Sequence, residues 1–505
     1  MKIRQEGAVL AFDIGTSAIK ASLLSHDGLM LLSGTHAYST RYAKDGKAEQ
    51  TSEDWWHGMV CLTAGFTARA PGWSREVAAI GVSGHMLGCI PVDANGEALH
   101  PALIHSDSRA ARQCITIAEK VGADAIYRMS GNPLDPRATL CKILWFKEEE
   151  PAVYSAASRF LQCKDYIVAK LTGEIDTTDY SDASHGGLIN LHTKRYDEAL
   201  YHTLEIDMGK LPSIRRSIDI VGLLTTDAAA ALHLPDRVPV IAGAGDGASA
   251  ALGAAALHEG DAYLCLGTTA WITFCSHQPV FDSQKRIFQF FTADSEGYCV
   301  TGTMQSACTS LNWALGLVGE EDPTRAGSIA NRIPPGSDGL IFLPYLTGER
   351  SPIFDRDARG VYFGLTAAHT SAHLIRATLE GVALALKDIC GVFREYFNLN
   401  HLRILGGGAE SALWRKVIAS ACGLRLDSLK VEAGDVTSAG IGIAASVAAG
   451  FFPSLESATC GIGVLETTLP NPSWIEIYER AYTTYAQLYP RLRDLMHEVV
   501  HISQG

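Results

Sequence analysis

The sequence has few basic residues and no cluster of them. It contains 42 Lys and Arg residues against 55 Asp and Glu residues, which gives a formal net charge of −13. A chain of this charge repels a phosphate backbone, and no local Lys/Arg patch offsets the repulsion. We therefore expect no nucleic-acid partner.

Long apolar runs are also missing. The run SAGIGIAASVAAGFF (Ser438–Phe452) is rich in Gly and Ala and is shorter than the roughly 20 residues that span a bilayer, so it predicts a tightly packed core helix. The first residues, MKIRQEGAVLAFD, reach Asp13 after too few apolar residues for a secretory signal. We expect no membrane segment and a cytoplasmic location.

Several metal-binding and catalytic motifs are absent. The twelve cysteines show no CxxC or Cys/His spacing of the zinc type, which favours reduced thiols. Both Gly-Lys pairs, Gly46-Lys47 and Gly209-Lys210, lack the Ser or Thr that completes a P-loop, and neither HExxH nor GxSxG occurs. These absences exclude a P-loop NTPase and the simplest zinc proteases and serine hydrolases.

The composition is that of a globular protein with more than one core. The chain has 505 residues, 47% of them hydrophobic and 19% charged, and this length favours two domains. Strand patterns such as VAAIGVSG and helical patterns such as ATLCKILWFKEEEP occur in the same part of the chain. We therefore predict an α/β fold, with a candidate domain boundary at the Pro-flanked segment LPDRVPVIAG.

Two similar hairpins occur about half a chain apart. VLAFDIGTSAIKASL predicts strands Val9–Phe12 and Ile19–Leu24 around a turn at Gly15, and AYLCLGTTAWITF predicts the same plan around Gly267. The repeat indicates two related domains, each presenting N–H groups and hydroxyls at a glycine turn. Because Gly-Thr-Ser hairpins are common, a chance match is the open alternative.

The segment VPVIAGAGDGASAALGAAAL places one carboxylate, Asp246, among small and apolar residues. Gly243, Gly245 and Ala248 fit the dinucleotide motif GxGxxA, but the next strand ends in Gly267 and Thr268 instead of an acidic ribose ligand. Asp246 would also repel a pyrophosphate. A dehydrogenase is therefore disfavoured.

The segments FDIGTSAIKASL, GAGDGASAALG, CLGTT and LGGGAESALWRKVIA occur in this order along the chain. They are similar, in turn, to the first phosphate motif, the catalytic-aspartate segment, the second phosphate motif and the adenosine segment of the FGGY carbohydrate kinases. The chain as a whole resembles this family, and most closely its xylulokinase branch. GVYFGLTAAHTSAHLIRATLEG, FLPYLTGERSPIFDRDARG and RATLCKILWFKEE resemble further family segments, with a departure at Arg137. The order of the segments agrees over the whole chain.

The resemblance implies two actin-like ATPase (ribonuclease H-like) domains with an interdomain cleft. Residues 1–240 would form the N-terminal sugar-binding domain and residues 241–505 the C-terminal ATP-binding domain, with the terminal helix 474–500 packed back on the first domain. The apolar stripe of that helix is interrupted at Pro490. ATP and Mg²⁺ would be the cofactors, and a homodimer is one assembly that fits.

In this family Asp246 would be the general base that takes the proton of a sugar hydroxyl, and Asp13 would act at the Mg²⁺, with both carboxylates binding the metal through water. From the residues alone, an ordinary helix cap is the favoured interpretation of Asp246. Asp13 is alternatively a turn aspartate, but the equivalent position of the second hairpin is Leu266, which favours a functional carboxylate. The implied ATP-binding residues are Thr16, Ser17, Lys20, Gly267, Thr268, Thr269, Gly407 and Gly408.

The implied sugar-binding residues are His85, Met86, Asp107, Arg109 and Asp246. Xylulokinases have Gln-Met-His where this chain has His85-Met86-Leu87, so Leu87 replaces an expected imidazole. His85, two positions away, would share a face with residue 87 on an extended chain and so compensate. Asp107 and Arg109 are alternatively a local ion pair.

The sequence thus predicts an ATP-dependent kinase for a ketopentose, with D-xylulose as the leading candidate. Ribulose, erythritol, gluconate and glycerol are the alternative substrates. A non-catalytic actin-like nucleotide switch is the alternative from another class of protein.

Overall fold

The computed structural model describes residues 7–430 and 436–503. Residues 1–6 of the predicted N-terminal domain, and residues 431–435 and 504–505 of the predicted C-terminal domain, lie outside the described residues. Among the helices within these ranges, none is both long enough and apolar enough to cross a membrane.

The strands of the described chain are mostly short. They are β1 (Ala8–Ile14), β2 (Ala18–Ser25), β3 (Met30–Ala37), β4 (Arg41–Tyr42), β5 (Ala48–Gln50), β6 (Val77–Gly84), β7 (Ile90–Val92), β8 (Ala102–Leu103), β9 (Arg159–Leu161), β10 (Thr178–Asp179), β11 (Ile189–Asn190), β12 (Arg195–Tyr196), β13 (Ile214–Arg215), β14 (Ile220–Leu223), β15 (Pro239–Ile241), β16 (Ala244–Gly245), β17 (Ala262–Leu266), β18 (Ala270–Ser276), β19 (Phe288–Phe291), β20 (Tyr298–Met304), β21 (Ile341–Leu343), β22 (Val361–Phe363), β23 (His401–Leu405), β24 (Arg425–Leu429) and β25 (Val464–Thr468).

The helices range from one turn to 32 residues. They are α1 (Ser52–Arg69), α2 (Ala111–Lys120), α3 (Ala123–Ser130), α4 (Thr139–Glu149), α5 (Pro151–Ala156), α6 (Cys163–Thr172), α7 (Tyr180–His185), α8 (Glu198–Leu204), α9 (Thr226–Leu232), α10 (Asp246–Gly253), α11 (Cys308–Leu317), α12 (Ala326–Ala330), α13 (Ser371–Arg394), α14 (Ala412–Cys422), α15 (Val436–Ala448), α16 (Leu455–Thr459) and α17 (Pro472–Ser503).

The first of two compact units contains the described residues of Met1–His258, Ser276–Cys299 and Asp435–Gly461. Its main sheet has the order β14-β15-β6-β1-β2-β3, and β16 also pairs with β6. All seven residues of β1 are buried. Because both faces of β1 are covered, its sequence is an almost continuous apolar run that only Asp13 interrupts.

Helix α15 confirms the core helix predicted for the Gly/Ala-rich run. It packs on β1, β6 and α10. A Cβ at Gly440 would lie 1.8 Å from the Ser249 carbonyl oxygen, and one at Gly442 would lie 2.5 Å from Leu24 Cδ1. The small residues therefore allow the helix to approach its neighbours closely, which is why this segment contains few large side chains.

The second unit contains Glu259–Cys275 and the described residues of Val300–Gly434 and Ile462–Gly505. Its sheet includes the order β20-β18-β17-β23-β24-β25. The β17–β18 hairpin is antiparallel, and β17 pairs in parallel with β23. In the first unit, β1 and β2 are likewise antiparallel, and β1 pairs in parallel with β6. The two predicted hairpins therefore occupy equivalent positions in their sheets.

The first unit continues past the boundary predicted at residue 240. Residue 240 lies within β15, and the next strand, β16, pairs with β6 of the same sheet. Helix α10 follows β16 directly and packs on α15. The segment that contains Asp246 therefore belongs to the first unit.

The terminal helix α17 differs from the prediction in two respects. It packs within the second unit, where Tyr478 donates a hydrogen bond to Glu380 (2.9 Å) and Tyr485 pairs with Tyr345 (3.0 Å). It also continues through Pro490 without interruption. Asp355 contacts residues before and after Pro490, because its Oδ2 lies 2.8 Å from Tyr489 Oη and 2.7 Å from His497 Nε2.

Candidate active site

Two carboxylates lie at one edge of the first-unit sheet. Asp13, near the end of β1, pairs in register with Ser83 of β6, and Ala244 of β16 pairs with the same Ser83 from the other side. Asp246 follows β16 by one residue. Since the carboxyl ends of parallel strands meet at one edge, the sheet brings together the two aspartates singled out in the sequence.

Asp246 is the first residue of α10, and the preceding Gly245 is the N-cap, with no side-chain capping bond. Its Oδ1 accepts a hydrogen bond from Gly247 N at 2.8 Å. Burial, followed by the charge of Asp13, raises the pKa of Asp246 to about 7, against the opposing effect of the Gly247 N–H. A carboxyl group with this pKa accepts and releases a proton near neutral pH.

Glycines around Asp246 are required by close contacts. Gly243 has a φ of 77°, and a Cβ there would lie 2.1 Å from the Val82 carbonyl oxygen. A Cβ at Gly245 would lie 2.6 Å from Met86 Cγ. The small residues thus let the Asp246 segment approach β6 and bring Met86 next to it.

A buried charge cluster, which the sequence analysis missed, lies in contact with this segment. Lys164 Nζ is 2.5 Å from Asp165 Oδ1, 3.0 Å from Asp179 Oδ1 and 3.2 Å from Asp182 Oδ2. All four side chains are buried. Burial raises the pKa of Asp182 well above its ordinary value, although the Lys164 amine opposes the shift.

Ser181 connects the charge cluster to the Asp246 segment. Its hydroxyl donates to Asp179 Oδ2 at 2.6 Å and accepts a hydrogen bond from Gly245 N at 2.9 Å. The cluster therefore orients the backbone one residue before Asp246. The only sequence signal was a Lys-Asp pair followed by Asp179 and Asp182, which is also typical of an exposed surface.

The turn that carries Thr16 and Ser17 is held through its carbonyl groups. Thr16 O accepts hydrogen bonds from Thr40 Oγ1 (3.1 Å) and Gln50 Nε2 (2.6 Å), and Gly15 O accepts one from the Tyr38 hydroxyl. Ser17 is exposed. Lys20, the other predicted phosphate contact of this hairpin, is the antiparallel partner of Asp13.

His85 is almost fully buried, beside the rings of Trp55 and His105, each with its centroid 5.6 Å away. Burial, His105 and Lys142 lower its pKa well below the usual value, so the ring is neutral. Neither ring nitrogen has a hydrogen-bond partner within residues 7–430 and 436–503. A neutral imidazole can donate one hydrogen bond and accept another.

Leu87 does not continue the extended chain of β6. Its φ is 63°, in the left-handed region, and β6 ends at Gly84. The alternation through which His85 was expected to compensate for Leu87 is therefore absent, because it requires extended backbone at these positions.

Asp107 and Arg109 form the local ion pair that was the alternative to sugar binding. Arg109 donates to Asp107 Oδ2 (2.7 Å) and to Glu49 Oε1 (2.7 Å), and its guanidinium lies 5.0 Å from the Trp145 ring centroid. Asp107 also accepts from Ala48 N at 2.7 Å. These contacts occupy much of the hydrogen-bonding capacity of both side chains.

Lys142 joins two of the loops that carry predicted sugar-binding residues. Its Nζ donates to the carbonyl oxygens of Leu87 and Ile104, both at 2.7 Å. Burial lowers the pKa of this amine to about 8, and Asp107 opposes the shift. Lys142 lies in the segment RATLCKILWFKEE, and its contacts with both loops depend on the fold.

In the second unit the predicted phosphate turn lies against the start of α11. Gly267 O accepts from Cys308 N (3.0 Å), and Thr268 O accepts from Ala307 N (3.0 Å) and Thr309 Oγ1 (3.0 Å). Gly267 N donates to Thr269 O at 2.9 Å. The turn between β17 and β18 is thus fixed through its carbonyl groups, as is the Thr16 turn of the first unit.

The glycine turn after β23 meets the same hairpin. A Cβ at Gly408 would lie 2.6 Å from Leu266 Cγ and 3.1 Å from Cys308 Sγ, whereas a Cβ at Gly407 would meet no atom of the described residues within 4 Å. The structure therefore brings the two predicted ATP-binding segments of the second unit together, with open space beside Gly407.

Comparison with known proteins gives the family. Residues 8–253 match the N-terminal domain of the FGGY family of carbohydrate kinases, and residues 262–449 match its C-terminal domain. A xylulose kinase of Lactococcus lactis is 30% identical over 503 residues, which are 98% of this chain and 99% of the relative. The chain belongs to the FGGY family of carbohydrate kinases.

Two solved FGGY kinase structures from Lactobacillus acidophilus have similar folds. A ligand-bound xylulose kinase has a TM-score of 0.89 at 28% identity, and a gluconate kinase has a TM-score of 0.89 at 27% identity. Each comparison covers 96% of this chain and 98% of the other. The predicted two-domain FGGY fold and carbohydrate kinase activity are therefore confirmed, and sugar kinases of this family use ATP.

Proposed function

We propose that this FGGY kinase transfers the γ-phosphoryl group of ATP to a hydroxyl of a ketopentose, with Asp246 as the general base. The observation that carries the proposal is the Asp246 carboxyl, whose pKa is raised to about 7 by burial and by the charge of Asp13. A base is most effective when its pKa lies near the working pH. An ordinary exposed aspartate would be a much weaker base.

The reaction follows from these groups. The sugar hydroxyl donates a hydrogen bond to the Asp246 carboxylate, which orients the oxygen towards the γ-phosphorus. As the new O–P bond forms, the bond from the γ-phosphorus to the β,γ-bridging oxygen breaks, and the electron pair leaves with ADP. The hydroxyl proton passes to Asp246, which releases it to solvent before the next turnover.

The carboxylates also fit Mg²⁺. Asp13 and Asp246 supply oxygen donors at one edge of the sheet, and Mg²⁺ binds one or two carboxylates together with waters and phosphate oxygens. We assign both side chains to the ion, through water. When bound, Mg²⁺ neutralises the charge on the phosphates.

We assign ATP binding mainly to the second unit. The N–H and hydroxyl groups of Thr268 and Thr269 would bind the phosphates beside Gly267, and adenosine would lie on Gly407 and Gly408. The open space next to Gly407 supports this assignment. Thr16, Ser17 and Lys20 of the first unit would contact the transferred phosphoryl group.

The sugar would bind the first unit through His85, Met86 and Asp246, and through the hydrogen-bonding capacity that Asp107 and Arg109 keep beside their ion pair. Within the part of the chain that the structure describes, the ring nitrogens of His85 have no hydrogen-bond partner, which supports this role because a sugar hydroxyl can satisfy either of them. D-Xylulose is the leading substrate. Gluconate is the second candidate, since Leu87 replaces the expected imidazole and a gluconate kinase matches with a TM-score of 0.89.

The test is ADP release with Mg²⁺ and ATP across D-xylulose, D-ribulose, L-xylulose, L-ribulose, erythritol, glycerol, gluconate and L-fuculose. The proposal expects the highest kcat/KM for a ketopentose, with D-xylulose first. A higher kcat/KM for gluconate or glycerol would overturn the substrate and leave the kinase activity intact. A cytoplasmic location and a homodimer remain predictions, and sedimentation of the purified chain measures the latter.

A further inference from the structure

Three metal-ligating side chains converge on the surface of the first unit at α1 and β3. His57 and Cys61 are four residues apart on α1, and His36 lies on β3. Cys61 Sγ is 3.4 Å from His57 Nε2, and one ligand atom from each of the three residues lies within 4.8 Å of the others. None of these residues belongs to the candidate active site.

Glycines on both elements produce this convergence. A Cβ at Gly34 would lie 2.9 Å from Leu62 Cδ2, and one at Gly58 would lie 3.2 Å from His36 Cδ2. Gly34 and His36 share a face of the strand, because they are two residues apart. The strand therefore lies close against the helix, and His36 reaches the turn of α1 that carries His57 and Cys61.

The spacing of two of the three side chains, Cys61 and His57, matches that of ligands on a tetrahedral ion, and His36 lies within 4.8 Å of both. Zn–S bonds of about 2.3 Å and Zn–N bonds of about 2.0–2.1 Å at a tetrahedral angle place sulfur and nitrogen about 3.5 Å apart. The observed distance between Cys61 Sγ and His57 Nε2 is 3.4 Å. A thiol and two imidazoles favour Zn²⁺ or a similar transition-metal ion, whereas Mg²⁺ prefers oxygen ligands.

We propose that His36, His57 and Cys61 bind one Zn²⁺ ion as three protein ligands, with the fourth position open to water. His57 is exposed and the other two residues are partly buried, so an ion can enter from solvent. The Cys61 thiol would lose its proton on binding. The bound ion would link β3 to α1 and so raise the unfolding midpoint of the chain.

Co²⁺ is the probe, because a tetrahedral Co²⁺–thiolate site has intense visible d–d bands and a sulfur-to-metal charge-transfer band in the near ultraviolet. The tag-free chain, in excess Mg²⁺ and a thiol-free reductant, should bind one equivalent of Co²⁺ with both signals, and Zn²⁺ should displace it. Cys61→Ser should abolish the charge-transfer band. His57→Gln, at an exposed helix position, should weaken binding by about tenfold or more.

Cys460→Ser and His202→Ala are matched controls, since both residues are exposed and lie elsewhere in the first unit. Both variants should retain the signals of the parent chain. Circular dichroism would verify that each variant is folded, and a Cys61→Ser chain that fails to fold leaves the decision to His57→Gln. The proposal is overturned if the parent chain binds no Co²⁺ in tetrahedral form, or if binding survives unchanged in the folded variants.

Discussion

Asp13 and the Asp246 segment lie on opposite sides of strand β6, where Asp13 and Ala244 both pair with Ser83. Burial, followed by the charge of Asp13, raises the pKa of Asp246. Two carboxylates placed at one sheet edge disfavour each other's ionised form. The same proximity that would let both carboxylates bind the proposed Mg²⁺ therefore also changes the pKa of the proposed base. This coupling can be measured without any ligand-bound structure.

The first prediction is that kcat/KM for the sugar rises with pH through a midpoint at about 7, because Asp246 must be ionised to accept a proton. Asp13→Asn removes the neighbouring negative charge and should move this midpoint to lower pH, whatever its effect on the maximal rate. Steady-state kinetics from pH 5.5 to 8.5 make the comparison. An unchanged midpoint, or one that moves upwards, would contradict the coupling.

The second prediction is that Asp246→Asn lowers turnover by about 100-fold or more and stabilises the fold at pH 8. The pKa of Asp246 is raised in the folded chain, so its ionised form costs stability. That cost grows as pH rises from the ordinary Asp value of 3.8 through about 7. The variant's gain in unfolding midpoint should therefore be larger at pH 8 than at pH 5, and an equal gain at both would refute the assigned cause.

The sequence predicted the hairpins because their signals are local. A strand pattern on each side of a Gly-Thr turn is enough to identify β1–β2 and β17–β18. The isolated carboxylate of Asp246 could be recognised in the sequence for the same reason. Its position relative to Asp13 could not be predicted, because it depends on β16 and β1 pairing with the same distant strand, which no local pattern encodes.

The charge cluster around Lys164 illustrates a different limit. Lys and Asp residues are usually exposed, so Lys164, Asp179 and Asp182 carried no signal of burial. Only the fold brings three carboxylates to one amine beneath the Asp246 segment. The predicted domain boundary also differs from the structure. The Pro-flanked segment near residue 240 is not a linker, because it contains a strand of the first-unit sheet.

The third prediction concerns Ser181, whose hydroxyl holds Gly245 N. Ser181→Ala should lower kcat on the order of tenfold, because it loosens the backbone that positions Asp246, while KM for ATP stays unchanged. Ser184→Ala is the control, since Ser184 is also buried on α7 but its hydroxyl contacts Tyr180 O, Ser181 O and Phe291 N in place of Gly245 N. Equal losses in both variants would indicate general destabilisation in place of a positioning role.

The fourth prediction tests the nucleotide assignment through Gly407. Among residues 7–430 and 436–503 no atom lies within 4 Å of a Cβ at this position, so Gly407→Ala should leave the unfolding midpoint unchanged. If adenosine lies on Gly407, the added methyl group should raise the Kd for ATP by about tenfold. Gly391→Ala, on α13 and equally unobstructed, should leave the Kd unchanged. Calorimetric titration with ATP measures both Kd values. If Gly407→Ala and the parent chain have the same Kd, adenosine does not lie on Gly407.

The last prediction concerns substrate choice at Leu87. Its φ of 63° is uncommon for leucine, whereas His is among the residues enriched in this region, so Leu87→His fits the backbone at least as well. The new imidazole would return a hydrogen-bonding group to the proposed sugar site. One such bond is worth about tenfold, so kcat/KM for D-xylulose should rise by that factor relative to gluconate.

Leu87→Met, which keeps the size and adds no comparable hydrogen bond, is the control and should change the ratio little. If Leu87→His lowers the ratio of kcat/KM for D-xylulose to kcat/KM for gluconate, residue 87 does not contact the hydroxyl that distinguishes a ketopentose. A substrate other than D-xylulose would then explain the leucine of the parent chain.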